Sequence, residues 1–148
     1  MLFLSMESVK NSSFYQDAIQ EINYSFGDFY LFDTYVIGEV NKDVVFTWED
    51  HAKILVEELS ELYDQNGQGL VYITNRINPY SVVPSDWLKF YKNRYLLKGY
   101  GIVSYNQKGM LNSLLEKLFM RNKLQSFSSL SEAISWAKSL SNKKDNAA

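Results

Sequence analysis

The residues whose types could do chemistry crowd into one stretch, Asn75-Arg76-Ile77-Asn78-Pro79-Tyr80-Ser81-Val82-Val83-Pro84-Ser85-Asp86-Trp87. Arg76 brings a guanidinium able to grip a carboxylate or phosphate through two parallel hydrogen bonds. Asn75, Tyr80, Ser81, Ser85 and Asp86 add an amide, three hydroxyls and a carboxylate. Both prolines of the chain, Pro79 and Pro84, fall here and restrict the backbone. Ser85 is placed to open a short helix, whose first N–H groups would favour an anion. The stretch is therefore a candidate binding site for a small anion or a protein partner, carried by Asn75, Arg76, Tyr80, Ser81, Ser85 and Asp86. The competing reading is a rigid connector in which Arg76 makes a structural salt bridge and Ser85 merely caps.

Elsewhere the chemical signals are thin. The single histidine, His51, lies in the first turn of a helix with no serine or threonine nucleophile implied beside it, so a structural histidine is expected. Glu49, Asp50 and His51 are consecutive, and consecutive helix residues point apart, which disfavours a shared metal. Gly67-Gln68-Gly69 follows a helix rather than a strand, so it reads as a helix stop and not as a dinucleotide loop. There is no cysteine, which removes disulfides, thiol catalysis and cysteine-ligated metals. No P-loop and no G-x-S-x-G elbow occurs. No catalytic constellation, metal site or cofactor is expected.

The elements that must position the stretch are legible from periodicity. Residues 21–46 alternate in short runs broken at Gly27-Asp28, Asp33-Thr34 and Asn41-Lys42-Asp43, which predicts an antiparallel opening with strands near 29–33 and 35–40. Thr47 is a good N-cap, and Ala52, Leu55, Val56, Leu59, Leu62 and Tyr63 form one apolar stripe, predicting a helix over 48–65. Leu70–Thr74 and Tyr100–Ser104 are continuous β-branched or aromatic runs of the kind buried on both faces of a parallel sheet. Met110, Leu111, Leu114, Leu115, Leu118 and Phe119 make the stripe of a helix over 107–121. Leu124–Phe127 could add a last strand, and Ser129 with Glu132 is a capping box opening a helix over 130–141. The candidate stretch then follows the carboxyl end of a central strand, where open α/β sheets bind ligands. The expected core includes Leu55, Leu59, Ile73, Ile102, Leu114, Leu118 and Ile134.

These alternations predict one α/β sandwich over residues 21–141, a small mostly parallel sheet with an antiparallel N-terminal edge, flanked by helices. Residues 1–20 read as a weakly ordered arm with a short helix near 14–19, and 142–148 as a disordered tail. The length of 148 residues fits one domain. The 15 basic and 17 acidic residues nearly balance, so a nucleic-acid partner is not expected. No run approaches the ~20 apolar residues of a membrane span, and the apolar Met1–Met6 is too short for a signal-peptide core. A cytoplasmic protein is expected.

Three segments together resemble a known grouping: Phe32-Asp33-x-Tyr35-Val36-Ile37-Gly38-Glu39-Val40, Tyr72-Ile73-Thr74-Asn75-Arg76-Ile77-Asn78-x-Tyr80-Ser81-Val82-x-Pro84, and Phe127-x-x-Leu130-x-Glu132-Ala133-x-x-Trp136. They are similar to the SpoIIAA-like proteins of the STAS/SEC14 grouping, especially uncharacterised bacterial members, over about residues 24–140. The resemblance implies a STAS-type sandwich and a non-enzymatic interaction or small-ligand module. Its alternative is a small carrier of lipids or apolar metabolites. Anti-sigma-factor antagonists of this type carry Asp-Ser-Ser/Thr-Gly at a helix start; here Ser85 stands in Pro84-Ser85-Asp86-Trp87 and the motif is absent. The partners this reading admits are another protein, a second copy of the chain, or a small anionic or apolar ligand.

Overall fold

In the computed structural model, which describes residues 6–142, three antiparallel strands open the fold: β1 (Gln20–Tyr24), β2 (Gly27–Leu31) and β3 (Tyr35–Val40). The chain turns at Ser25-Phe26, two residues before the expected Gly27-Asp28, and both of those belong to β2. Gly27 is there for a different reason: a Cβ on it would meet the Glu39 carbonyl oxygen of β3 at 2.7 Å. A two-residue strand, β4 (Val45–Phe46), leads to a π-helical turn at Trp48–Ala52 and then α1 (Lys53–Tyr63). The Thr47 hydroxyl accepts the Asp50 N–H at 3.1 Å, as a cap should. Asp64, in the left-handed region at φ 54°, ends the helix.

The rest alternates: β5 (Val71–Asn75), the short β6 (Ser81–Val82), a 3-10 turn at Pro84–Asp86, α2 (Trp87–Lys92), β7 (Gly99–Val103), α3 (Gln107–Lys117), β8 (Lys123–Phe127) and α4 (Leu130–Asn142). The main sheet has six strands in the order β1-β2-β3-β5-β7-β8, parallel from β3 onward. The mostly parallel α/β sheet with an antiparallel edge is thus the expected architecture. β4 and β6 pair separately, Val45 with Ser81 and Phe46 with Val82, which ties the segment after β5 to the one after β3.

Two cores lie on opposite faces of the sheet. Val71 and Ile73 of β5 and Tyr35 and Ile37 of β3 pack with Ala133, Ile134 and Ala137 of α4. Val36 and Val40 pack with Leu55 and Leu59 of α1 on the other face. Val9, within the stretch read as an arm, is fully buried against the α4-side core, and Phe14 and Tyr15 of a 3-10 turn at Ser13–Asp17 lie beside it. Residues 1–5 and 143–148, parts of the expected arm and tail, lie outside the described residues.

Five of the seven expected core residues are buried, but Leu114 and Leu118 are 59% and 76% exposed. α3 is turned so that Ser113 and Glu116 face inward while Met110, Leu111, Leu114, Leu115 and Leu118 face out. The reason is the partner Glu116 finds inside.

Candidate ligand pocket

On a strand, successive side chains alternate faces. Tyr72 and Thr74 of β5 and Tyr100 of β7 therefore point to the side of α1 and α2, and Val36 and Val40 of β3 join them. Gly38 between those valines makes room, since a Cβ there would meet the Tyr72 hydroxyl at 2.5 Å and the Phe29 ring at 2.6 Å. Leu55, Val56 and Leu59 come down from α1, Trp87 and Phe90 from α2, and the β4–β6 pair closes the side with Phe46 and Val82. They enclose a cavity of about 90 Å³.

One end of the cavity is polar. Glu116, 1% exposed, forms a salt bridge with Arg76, whose side chain is 10% exposed. The Glu116 carboxylate also accepts from the Tyr100 hydroxyl at 2.8 Å and the Trp87 indole N–H at 3.1 Å. Arg76 Nη2 donates to the Tyr100 oxygen at 3.1 Å, and its guanidinium lies 5.4 Å from the centre of the Tyr80 ring. The Tyr80 and Thr74 hydroxyls are 2.7 Å apart. Arg76 Nε is buried without a partner. Burial opposes the charge on Arg76, but Tyr80, Tyr100 and Glu116 outweigh it and hold its pKa above the usual arginine value. Burial, reinforced by Glu116, pushes the Tyr100 hydroxyl well above its usual range, and burial does the same to Tyr72. These phenols stay neutral at ordinary pH and act as hydrogen-bond donors rather than as bases.

The six candidate residues part company. Tyr80 and Asp86 line the cavity, and Arg76 lies behind its polar end. Asp86 accepts the Trp48 N–H at 2.8 Å and pairs with Lys89 at 3.5 Å, so it caps the turn before α1. Asn75 sits on the opposite face of the sheet. There its amide donates to Glu39 at 2.8 Å and to the Glu7 carbonyl at 2.9 Å, and its oxygen accepts the Tyr105 hydroxyl at 2.6 Å. Glu39 also accepts the Val9 N–H at 2.8 Å, which fastens the segment before β1 to the sheet. Burial raises the Glu39 pKa, against the pull of the bonds from Val9 and Asn75. Ser81 and Ser85 are exposed, and Ser85 caps nothing: the 3-10 turn starts from Val83 without a side-chain bond and α2 starts from Asp86 likewise. Ser85 is therefore not the helix cap expected there. His51 accepts the Thr47 N–H at 2.9 Å and stacks on Phe46, a structural histidine.

Sequence reasoning missed Glu116, Tyr72 and Tyr100. Glu116 had one readable signal: with Ser113 it forms an i, i+3 polar pair on the side of α3 opposite the leucines. Tyr72 and Tyr100 read only as strand residues.

Among the described residues no group of three or more His, Cys, Asp or Glu side chains could hold a metal, and no helix is long and apolar enough to cross a membrane. No protein-family model matches the chain, and no curated protein matches it. Solved structures do, among them the crystal structure of an uncharacterized protein from the DUF3478 family, with a SpoIIAA-like fold, from Shewanella loihica PV-4. The two superpose with a TM-score of 0.53 at 15% identity, over 81% of this chain and 92% of that one. At that identity the likeness is one of architecture: the chain has a SpoIIAA-like fold.

Proposed function

We propose that this protein is a non-enzymatic module that binds a small, mainly apolar ligand in the cavity between the sheet, α1 and α2. The observation that carries the reading is the cavity itself, walled mainly by aliphatic and aromatic side chains with a few polar groups among them. Apolar walls with a few convergent polar groups are the usual make-up of a ligand site. Size narrows the choice. A dry apolar cavity of roughly 150 Å³ holds a benzene, so about 90 Å³ suits a small metabolite or the end of a longer chain that leaves through the mouth. This favours an apolar-metabolite binder over a carrier that swallows a whole lipid.

The test uses the neutral apolar dye N-phenyl-1-naphthylamine. Its fluorescence should rise with the wild-type protein. The rise should be lost in Val56→Trp, which fills the cavity from α1, with the unfolding midpoint unchanged. Equal dye binding by the variant would overturn the reading.

A second reading, a protein-binding module, is favoured by the exposed apolar face of α3. For a second copy of the chain as partner, sedimentation should show a concentration-dependent dimer lost in Leu114→Lys/Leu118→Lys. A wild-type monomer at every concentration would exclude it.

A further inference from the structure

We infer that the cavity selects an uncharged ligand with a single hydroxyl-type polar end and rejects carboxylates and phosphates of the same shape. The inference rests on the cavity being a ligand site and adds the class of ligand. It starts from the charges. Among the described residues that line the cavity there are two carboxyl side chains, Asp86 and Glu116, and no Lys, Arg or His. The nearby cation, Arg76, is not part of the lining; it lies behind Tyr80, Tyr100 and Glu116 and is paired with Glu116. An entering carboxylate would lose its water and find no cation in the lining, since the one nearby guanidinium already has its charge matched by Glu116. Burying an ion without a partner is costly, whereas a hydroxyl needs only one or two hydrogen bonds.

Those bonds are available. Tyr72 and Tyr80 line the wall and carry hydroxyls, while the Tyr100 hydroxyl is already committed to Glu116 and Arg76. The Tyr80 hydroxyl shares one bond with Thr74, and each phenol can both donate and accept. A ligand hydroxyl placed among them is satisfied without a charge moving. The acids do not invite an amine either. Glu116 is neutralised by Arg76, and Asp86 is engaged by the Trp48 N–H and Lys89. The polar end of the cavity is an ion pair presenting hydrogen bonds but no net charge.

The experiment displaces N-phenyl-1-naphthylamine from the wild-type protein with three probes of one length: pentan-1-ol, pentanoate and pentylamine. Pentan-1-ol should displace the dye with an affinity at least about tenfold above either ion, since each ion must shed its water without a free partner. Pentanoate or pentylamine matching or exceeding the alcohol overturns the inference while leaving the cavity a ligand site. Failure of all three to compete overturns the cavity reading and the inference with it. Glu116→Gln sharpens the result, because it releases the Arg76 charge: in a variant that keeps the wild-type circular dichroism, the preference should move toward pentanoate by about tenfold or more. An unchanged order of affinities in that folded variant would also overturn the inference. The wild-type competition decides the matter if the variant does not fold.

Discussion

α1 and α3 lie on the same face of the sheet, and both carry a leucine stripe in sequence, yet they bury opposite sides. α1 turns Leu55 and Leu59 inward against Val36 and Val40. α3 turns its leucines out and presents Ser113 and Glu116 to the interior. Amphipathicity sets the rotation of the first helix. A buried carboxylate with a specific set of donors sets that of the second. Where one ion pair can decide which way a helix faces, the region around it has been shaped for something other than burying the most apolar surface.

The largest effect should come from removing that ion pair's anion. Glu116→Ala leaves Arg76 buried and unpaired, and such losses cost about 3–5 kcal/mol; urea denaturation measures it. A loss below about 1 kcal/mol would break the comparison, because α3 would then be held by something else. Next is Leu59→Ala in α1, expected to cost roughly 2–5 kcal/mol as a core truncation. Its counterpart Leu118→Ala in α3 should stay within about 0.5 kcal/mol, as exposed sites do. Equal losses at the two leucines would show that α3 buries its stripe after all.

A smaller effect separates the two buried glutamates. Among the described residues no cation pairs with Glu39, and burial raises its pKa above the ordinary glutamate value of about 4.3. A carboxyl whose folded pKa lies above its unfolded one favours the fold below the unfolded value. That contribution is lost as pH rises through the folded value. Glu39→Gln keeps the shape without the titration. Its stability relative to wild type should therefore improve as pH rises from about 4 to 7, read from chemical denaturation at each pH. A flat difference would mean that Glu39 is not desolvated. Ser85→Ala should be the least consequential, within about 0.5 kcal/mol, because that hydroxyl caps neither the 3-10 turn nor α2.

These contrasts also mark what the sequence could reveal. β5 and β7 were legible because strands buried on both faces read as continuous β-branched or aromatic runs, and α4 because Ser129 caps it, accepting the Glu132 N–H and donating its hydroxyl to the Glu132 carboxylate. The Gly27 turn misled because its glycine serves a close approach to β3, a cross-strand fact with no local trace. The leucines of α3 misled because the periodicity rule assumes that the apolar side goes in, and the donor that reverses it lies 40 residues away. In the candidate stretch, Arg76, Tyr80 and Asp86 do converge near one cavity. Asn75 could have been set apart from Arg76 by strand alternation alone, which sends neighbours to opposite faces.

The distance between Arg76 and Glu116 has a consequence for how the chain is made. Apart from Glu116, the cavity walls come from residues 36–100, and Glu116, which neutralises Arg76, follows 40 positions after it. Synthesis delivers the residues of a domain from the N-terminus on, and the domain folds as a unit. A nascent chain that has released β3 through β7 thus carries the wall residues and a cation that nothing yet matches. The selectivity argued for the finished protein waits on a residue that arrives with the third turn of α3.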